Sequence, residues 1–261
     1  MKKSACTALC SVLAAAMLLA ATGCSKKEKV IINSAADLNG KKIGCQAGTT
    51  GEMYIQENIP NADVKSFKTG IDASLALKNG SIDAIVLDEL PAQQIVKRNP
   101  DLVIVNDKFA TEEYAIAVRK GDSQLLSSIN ATISAMKSDG RYEALVNAFM
   151  PIDGNIVVPS EILTEGSKTV KMGTNASFPP FEYTEGADPI GFDITMSQYI
   201  AKDYGAKLQV VDMNFDGLIA ALQSGAIDFI AAGMTATDER RKNVDFSDPY
   251  FVSNQVIIIH K

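Results

Sequence analysis

The chain has 261 residues and a single histidine, His260, next to its last residue. That scarcity argues against Ser-His-Asp and Cys-His nucleophilic catalysis and against histidine-rich metal sites. Cysteine is scarce too, at four. Cys6 and Cys10 fall in an apolar leader and Cys24 stands at its end, so Cys45 alone remains and no internal disulfide can form beyond the leader. Basic residues are outnumbered, 25 against 31 acidic; removing Lys2 and Lys3 with the leader leaves 25 − 2 = 23 against 31. A chain this acidic argues against a nucleic-acid partner. A phosphate-cradling loop is also missing. Gly166-Ser167-Lys168-Thr169 looks like the end of one, but the motif's first glycine is absent and the setting is a linker. No cofactor and no metal are expected.

The leader itself is informative. Met1-Lys2-Lys3 is basic, Ala5 to Ala21 is apolar, Thr22-Gly23-Cys24 ends the run, and Ser25 to Lys29 turns sharply polar. The apolar run is marginal for a membrane span and fits a signal peptide over residues 1–23. Small residues before a cysteine resemble a bacterial lipobox, with Cys24 as the lipidated first residue of the mature chain and Ala21 where that pattern usually has Leu. A retained membrane anchor, or cleavage elsewhere, is the alternative.

Beyond the leader, strand-like and helix-like segments alternate from Lys29 to Phe149, which predicts βαβ units and a largely parallel sheet. Residues 151–167 carry Pro, Gly, Asp and Ser and break the periodicity, as a surface linker would. The alternation then resumes to a long final strand, Phe251 to His260. A weak internal repeat relates the halves: Leu77 to Asp83 matches Leu222 to Asp228, and Ile43 to Ala47 matches Met172 to Ala176. Two related α/β lobes follow, each delivering the end of a buried strand to one edge: Asp88 in the first, Gly233 in the second. Ligands of open α/β sheets sit beyond such edges, so facing lobes would form a cleft.

One stretch, Ala231 to Arg240, combines a strand end, a glycine, two hydroxyls and a guanidinium. Gly233 permits close backbone approach, and Thr237 before Asp238 and Glu239 reads as an N-cap. Arg240 and the N–H groups near Gly233 and Thr235 suit an α-carboxylate, while Asp88 across the cleft suits an α-ammonium. Plainer readings stand beside these: an ordinary turn with Arg240 in solvent, and Asp88 pairing with a lysine or capping the next helix. Phe178 reads either as a stacking residue or as core, and Phe215 likewise; Phe181 and Tyr183 are assigned to the core. Asp193 and Asp228 as a pair of acids are more simply a helix-end and a strand-start residue.

The segments GTNASFPPFEY, GFDITMSQYIAKDYG, FDGLIAALQSGAIDFIAAGMTATDERRKNVDFSDPYF, DLNGKKIGCQAGTT and EYAIAVRKG resemble the polar amino-acid-binding proteins of bacterial ABC importers, solute-binding protein family 3. The resemblance covers nearly all of the mature chain. It implies a two-lobed periplasmic-binding-protein-like fold of type II. Family members carry a second acid where this chain has Thr195, a position read as structural. The order of segments is inverted relative to the family, so the chain looks circularly permuted, with Ile152 to Ser167 joining the old ends. The expected division is a signal peptide at 1–23, a lipid-anchored tether and hinge strand at 24–33, a small lobe at 34–112, a hinge strand and large-lobe helices at 113–150, the linker at 151–167, and the large lobe at 168–261. One covalent crossing between lobes is expected near Glu113 to Val118, and a second, severed one where Val30 to Asn33 would lie beside Val256 to His260.

By position, the resemblance implies a site of Asn175, Phe178, Phe215, Gly233, Thr235 and Arg240 from the large lobe with Gln46, Thr49, Thr50 and Asp88 from the small one. Asn175 stands where many members have Asp, and Gln46 where some have a basic side chain. The expected pocket is therefore polar but uncharged, favouring glutamine or another neutral polar amino acid. The expected protein is a lipid-anchored, extracytoplasmic receptor, monomeric rather than a swapped dimer, serving an ABC permease and performing no chemistry. An enzyme on the same scaffold, dehydratase-like or cell-wall-lytic, would need an acid or base beyond the two anchors. A sensor module ranks last, since no membrane segment or kinase region follows Lys261 in the sequence.

Overall fold

A computed structural model describes residues 31–152 and 154–261. The expected signal peptide, Cys24 and the tether up to Val30 lie outside the described residues. No helix among the described residues is long and apolar enough to cross a membrane.

The first sheet starts with β1 (Lys42–Gln46), β2 (Asp63–Phe67) and β3 (Ala84–Asp88), with β1 pairing in parallel with both others. The helices between them begin at threonines. Thr49 caps Thr50–Asn58 by accepting from the Glu52 N–H, and Thr69 caps Gly70–Lys78 through the Asp72 N–H. Such caps satisfy donors that a helix start leaves orphaned. The helix Glu89–Arg98 leads to β4 (Leu102–Ile104), and β5 (Ala110–Tyr114) and β6 (Ala117–Arg119) follow. The hinge strand expected near Glu113 to Val118 is thus split, because β5 and β6 serve different sheets.

Helices Ser123–Asp139 and Arg141–Phe149 meet at Gly140, whose φ of 86° stops the first and starts the second. The second sheet holds β7 (Lys168–Thr174), and a three-stranded hairpin unit follows as β8 (Ser177–Phe178), β9 (Glu182–Glu185) and β10 (Asp188–Ile190). Sequence periodicity missed that unit because its strands are two to four residues long. After the helix Phe192–Asp203 come β11 (Ala206–Asp212), the helix Leu218–Ser224, β12 (Phe229–Ile230), the short helix Asp238–Arg241, β13 (Val244–Phe246) and β14 (Phe251–His260). The second sheet runs β11-β7-β12-β6-β13, parallel among the first three and antiparallel at β6.

The expectation of largely parallel sheets needs amending at β14. It enters the first sheet antiparallel, giving the order β2-β1-β3-β14-β4 with β5 also paired to β14. Its Gln255 to His260 half pairs with β3 and β4, so the last residues belong to the small-lobe sheet and not, as expected for 168–261, to the large lobe. The expected severed hinge also differs. Phe251 to Gln255 pairs with Ala110 to Tyr114, and both strands run on covalently from the second sheet. At the crossing, the Tyr250 N–H donates to the Tyr114 carbonyl and the Ser247 N–H to the Ile116 carbonyl. Residues 31–33 form no strand, and the Ala35 N–H donates to Asp107.

The linker lies mostly along the large lobe, with Lys97 of the small lobe donating to its Gly154 carbonyl. The Val157 N–H donates to Ala148, the Ile162 N–H to Gln198, and Thr164 accepts from the Leu208 N–H. One core cluster runs from Ile85 and Leu87 through Tyr114 and Phe181 to Met172 and Ile200; a second gathers Leu218, Ile227, Ile230 and Met234.

Candidate functional site

All ten residues expected from the sequence line one cavity, to which Glu182 and Ala232 are added. The cavity measures about 10 Å³, room for about one water. With the lobes in this arrangement it admits nothing much larger than that.

Arg240 sits on the short helix capped by Thr237, whose hydroxyl accepts from the Arg240 N–H at 3.2 Å. Its guanidinium does not reach into solvent, the plainer reading of the sequence: it is 5% exposed. It donates 2.8 Å bonds to the Thr235 carbonyl and, across the cleft, to the Gly48 carbonyl, and lies 5.4 Å over the Phe215 ring. Burial pulls its pKa down to about 10, against the charges of Glu112 and Asp88. It stays protonated near neutrality, and a charge so desolvated requires an anionic or strongly accepting partner.

Asp88, buried at the end of β3, neither caps the helix that follows nor pairs with a lysine among the described residues; it accepts from the Tyr114 hydroxyl. Burial, and next the charge of Glu112, push its pKa up to about 7. A cationic group arriving beside it would return the carboxylate to its charged form.

Gln46 and Asn175, equivalent positions of the repeat, meet across the cleft. The Gln46 amide donates to the Asn175 oxygen at 2.8 Å and to the Lys68 carbonyl at 3.1 Å, while the Asn175 amide donates to Met213 at 2.9 Å. The Thr49 hydroxyl turns inward to the Gln46 carbonyl. Phe178 lines the cavity and stacks on Phe181, with ring centroids 5.9 Å apart. Gly233 has φ 55°, and a Cβ there would stand 2.8 Å from Phe178, so no larger residue fits.

Two expectations need correcting. The Gly233 N–H, proposed as a carboxylate donor, is taken by Asp193 at 2.9 Å, and the Thr235 hydroxyl donates to Glu112. Tyr183 is only half-buried, because on β9 the inward position goes to Glu182, which is 1% exposed. Glu182 is the cavity residue that the sequence reading missed. No local pattern signals it, since alternation from Phe181 would turn Tyr183 inward and Glu182 outward.

Behind Glu182 lies Asp193, fully buried in the first turn of its helix and accepting from Tyr250 at 2.7 Å. Glu182 Oε2 and Asp193 Oδ1 are both buried without a hydrogen-bond partner, and burial and then the charge of Asp193 raise the pKa of Glu182. Asp228, the other acid considered with Asp193, is instead a strand-start residue taking the Lys171 N–H and Arg119. Thr195 bonds the Gly191 carbonyl within its own helix and does not line the cavity. Among the described residues no cluster of His, Cys, Asp and Glu could hold a metal ion.

Comparison with known proteins finds relatives of part of the chain. Residues 170–261 match the family described as bacterial extracellular solute-binding proteins, family 3. The arginine-binding extracellular protein ArtP of Bacillus subtilis is 46% identical over 96 residues, covering 37% of this chain and 38% of ArtP. The ABC transporter glutamine-binding protein GlnH of the same organism is 35% identical over 114 residues, covering 44% of this chain and 42% of GlnH. An ancestral arginine-binding protein bound to arginine is 54% identical over 32% of this chain and 37% of its own, with a TM-score of 0.31. The matches thus span less than half of each relative's length.

Proposed function

We propose, from the premise that residues 170–261 are a segment of the family-3 extracellular solute-binding proteins, that the chain captures a polar L-amino acid between two lobes and presents it to an ABC permease. The observation that carries this is the pairing of opposite charges from opposite lobes. Arg240 and Asp88 line one small cavity together with the amides of Gln46 and Asn175. The guanidinium is placed for an α-carboxylate, which would take over the donors now satisfied by Thr235 and Gly48. The Asp88 carboxylate is placed for the α-ammonium.

The amides leave the side-chain end of the cavity polar and uncharged, which supports glutamine or another neutral polar amino acid. We read the protein as a monomeric receptor held at the outer face of the cell membrane by a lipid on Cys24, with no catalytic step. A thermal-shift screen over the amino acids tests the reading: a ligand at about a hundred times its Kd stabilises the chain by about 2.7 kcal/mol. If no amino acid raises the transition temperature, the reading is wrong.

Circular permutation is part of the proposal. Both ends of the linker lie in the large lobe, after Phe149 and before Lys168, so it joins two points that need no crossing. The natural break lies instead on the small lobe. There β14 carries the chain into the sheet, the Val105 N–H bonds Ile257, and Asp107 holds the Ala35 N–H. A variant with residues 31–150 moved after Lys261 and the linker removed should bind the same ligand within about threefold, a difference below about 1 kcal/mol.

A further inference from the structure

The cavity holds three ionisable side chains, Arg240, Asp88 and Glu182, and once a bound ammonium keeps Asp88 charged its net charge depends on Glu182. Glu182 Oε2 and Asp193 Oδ1 are buried and find no N–H or O–H donor in any neighbour. The two carboxyl groups are neighbours: the Asp193 N–H donates to the carbonyl of Phe181, the residue before Glu182, and the charge of Asp193 acts on Glu182. Two carboxyl groups buried side by side, with these oxygens unpartnered, can meet only through a proton on one of them, so one is a neutral acid.

The surroundings decide which. Asp193 accepts from the Gly233 N–H and the Tyr250 hydroxyl and stands in the first turn of a helix, all of which favour its anion. Glu182 has no such donor, and Asp193, Asp88 and Asp212 all oppose its ionisation. The remaining groups that face the pair are Tyr250 and Tyr142, with Arg240 across the cavity. Burial, then the charge of Asp193, hold the Glu182 carboxyl well above the usual carboxylate range, whereas Asp193 rises only to about 6.

We propose that Glu182 is an uncharged, proton-carrying wall of the cavity that donates its proton to Asp193. The cavity then presents one acid, Asp88, to one base, Arg240, and selects an amino acid with an uncharged side chain over one with a cationic side chain. This rests on the amino-acid-binding reading. Were Glu182 ionised, two acids would face one base, and a lysine- or arginine-like side chain would be the matching ligand.

The test joins a spectroscopic and a binding measurement on the full mature chain. Infrared spectra near neutral pH should contain the carbonyl stretch of a protonated carboxylic acid that disappears in E182Q. Calorimetry should show glutamine bound at least about tenfold tighter than arginine, and E182Q, whose amide donates as the acid does, should keep that preference within about threefold. The proposal is overturned if E182Q removes no such band, or if the unchanged chain prefers arginine and E182Q weakens arginine more than about tenfold. Should E182Q not fold, a carbon-13 titration of the unchanged chain decides: a glutamate carboxyl still protonated at neutral pH supports the assignment, and none overturns it. A band present with no amino acid bound would sink the binding reading and keep the proton on Glu182. Binding without the band would do the reverse.

Discussion

The two halves of the internal repeat agree at one end of their strands and differ at the other. At the start of β3, Asp83 accepts the Lys42 N–H at 2.9 Å; just before β12, Asp228 accepts the Lys171 N–H at 2.8 Å. Gly44 and Gly173 are equally matched. A Cβ on Gly44 would lie 2.5 Å from Ile82 Cδ1, and one on Gly173 2.2 Å from Ile227 Cδ1. At the far ends the likeness stops. One lobe offers the carboxylate of Asp88 and the other a bare glycine backbone at Gly233, leading to Arg240. Strand starts therefore hold the fold and strand ends hold the candidate site, as the rule for open α/β sheets expects.

Substitutions at the two kinds of position should separate cleanly. Arg240→Ala should give the largest effect, leaving a ligand carboxylate unpaired at a cost of about 3–5 kcal/mol, or more than about a hundredfold in affinity by calorimetry. Asp88→Asn should also abolish tight binding while raising stability above neutral pH, because it removes a buried charge that burial and Glu112 both oppose; parallel denaturation and calorimetry would show the opposed signs.

At the strand starts, Gly173→Ala should cost about 1–3 kcal/mol of stability, part of it recovered by Ile227→Val, with ligand affinity per folded molecule unchanged. Asp228→Ala should cost about 1–3 kcal/mol and Asp83→Ala less, because Asp228 also holds Arg119 and its bond to Lys171 is part-buried while that of Asp83 is exposed. If either aspartate substitution cost affinity rather than stability, the division between fold end and site end would be broken.

Stability should also respond to pH. Asp193 and Asp88 have folded-state pKa values of about 6 and about 7, above their ordinary 3.8. The folded chain then binds more protons than the unfolded one, so these groups should lower stability as pH rises from about 4 to about 7. Asp37, Asp139 and Asp245 shift the other way but lie at the surface, where solvent screens them, and they should not reverse the trend. Urea midpoints across that range would check it, and Asp88→Asn should flatten the slope.

Much of this was legible in the residues. The repeat identified both strand starts and both strand ends, because buried apolar strands bounded by glycine are a local signal. The ten cavity residues were named by position, and the chain does bring them together. What was missed was non-local. The course of β14 through the first sheet depends on which strands it meets, not on its own alternation, so its last residues were given to the wrong lobe. The donors around Gly233 were counted as available because nothing in the sequence ties Asp193 to that N–H. Glu182 was passed over since a glutamate beside two aromatics reads as surface until its strand is seen to turn inward.

Strand β14 has one further consequence. Its first half forms the ribbon with β5 and its second half is laid between β3 and β4, inside the small-lobe sheet. The pivot and the beam are one piece. On the proposed function, loosening the ribbon to speed opening would tug on a strand inside the small-lobe sheet, gearing the rate of release to the resistance to unfolding. Flexibility added there would be drawn from the same ten residues that keep the lobe in one piece.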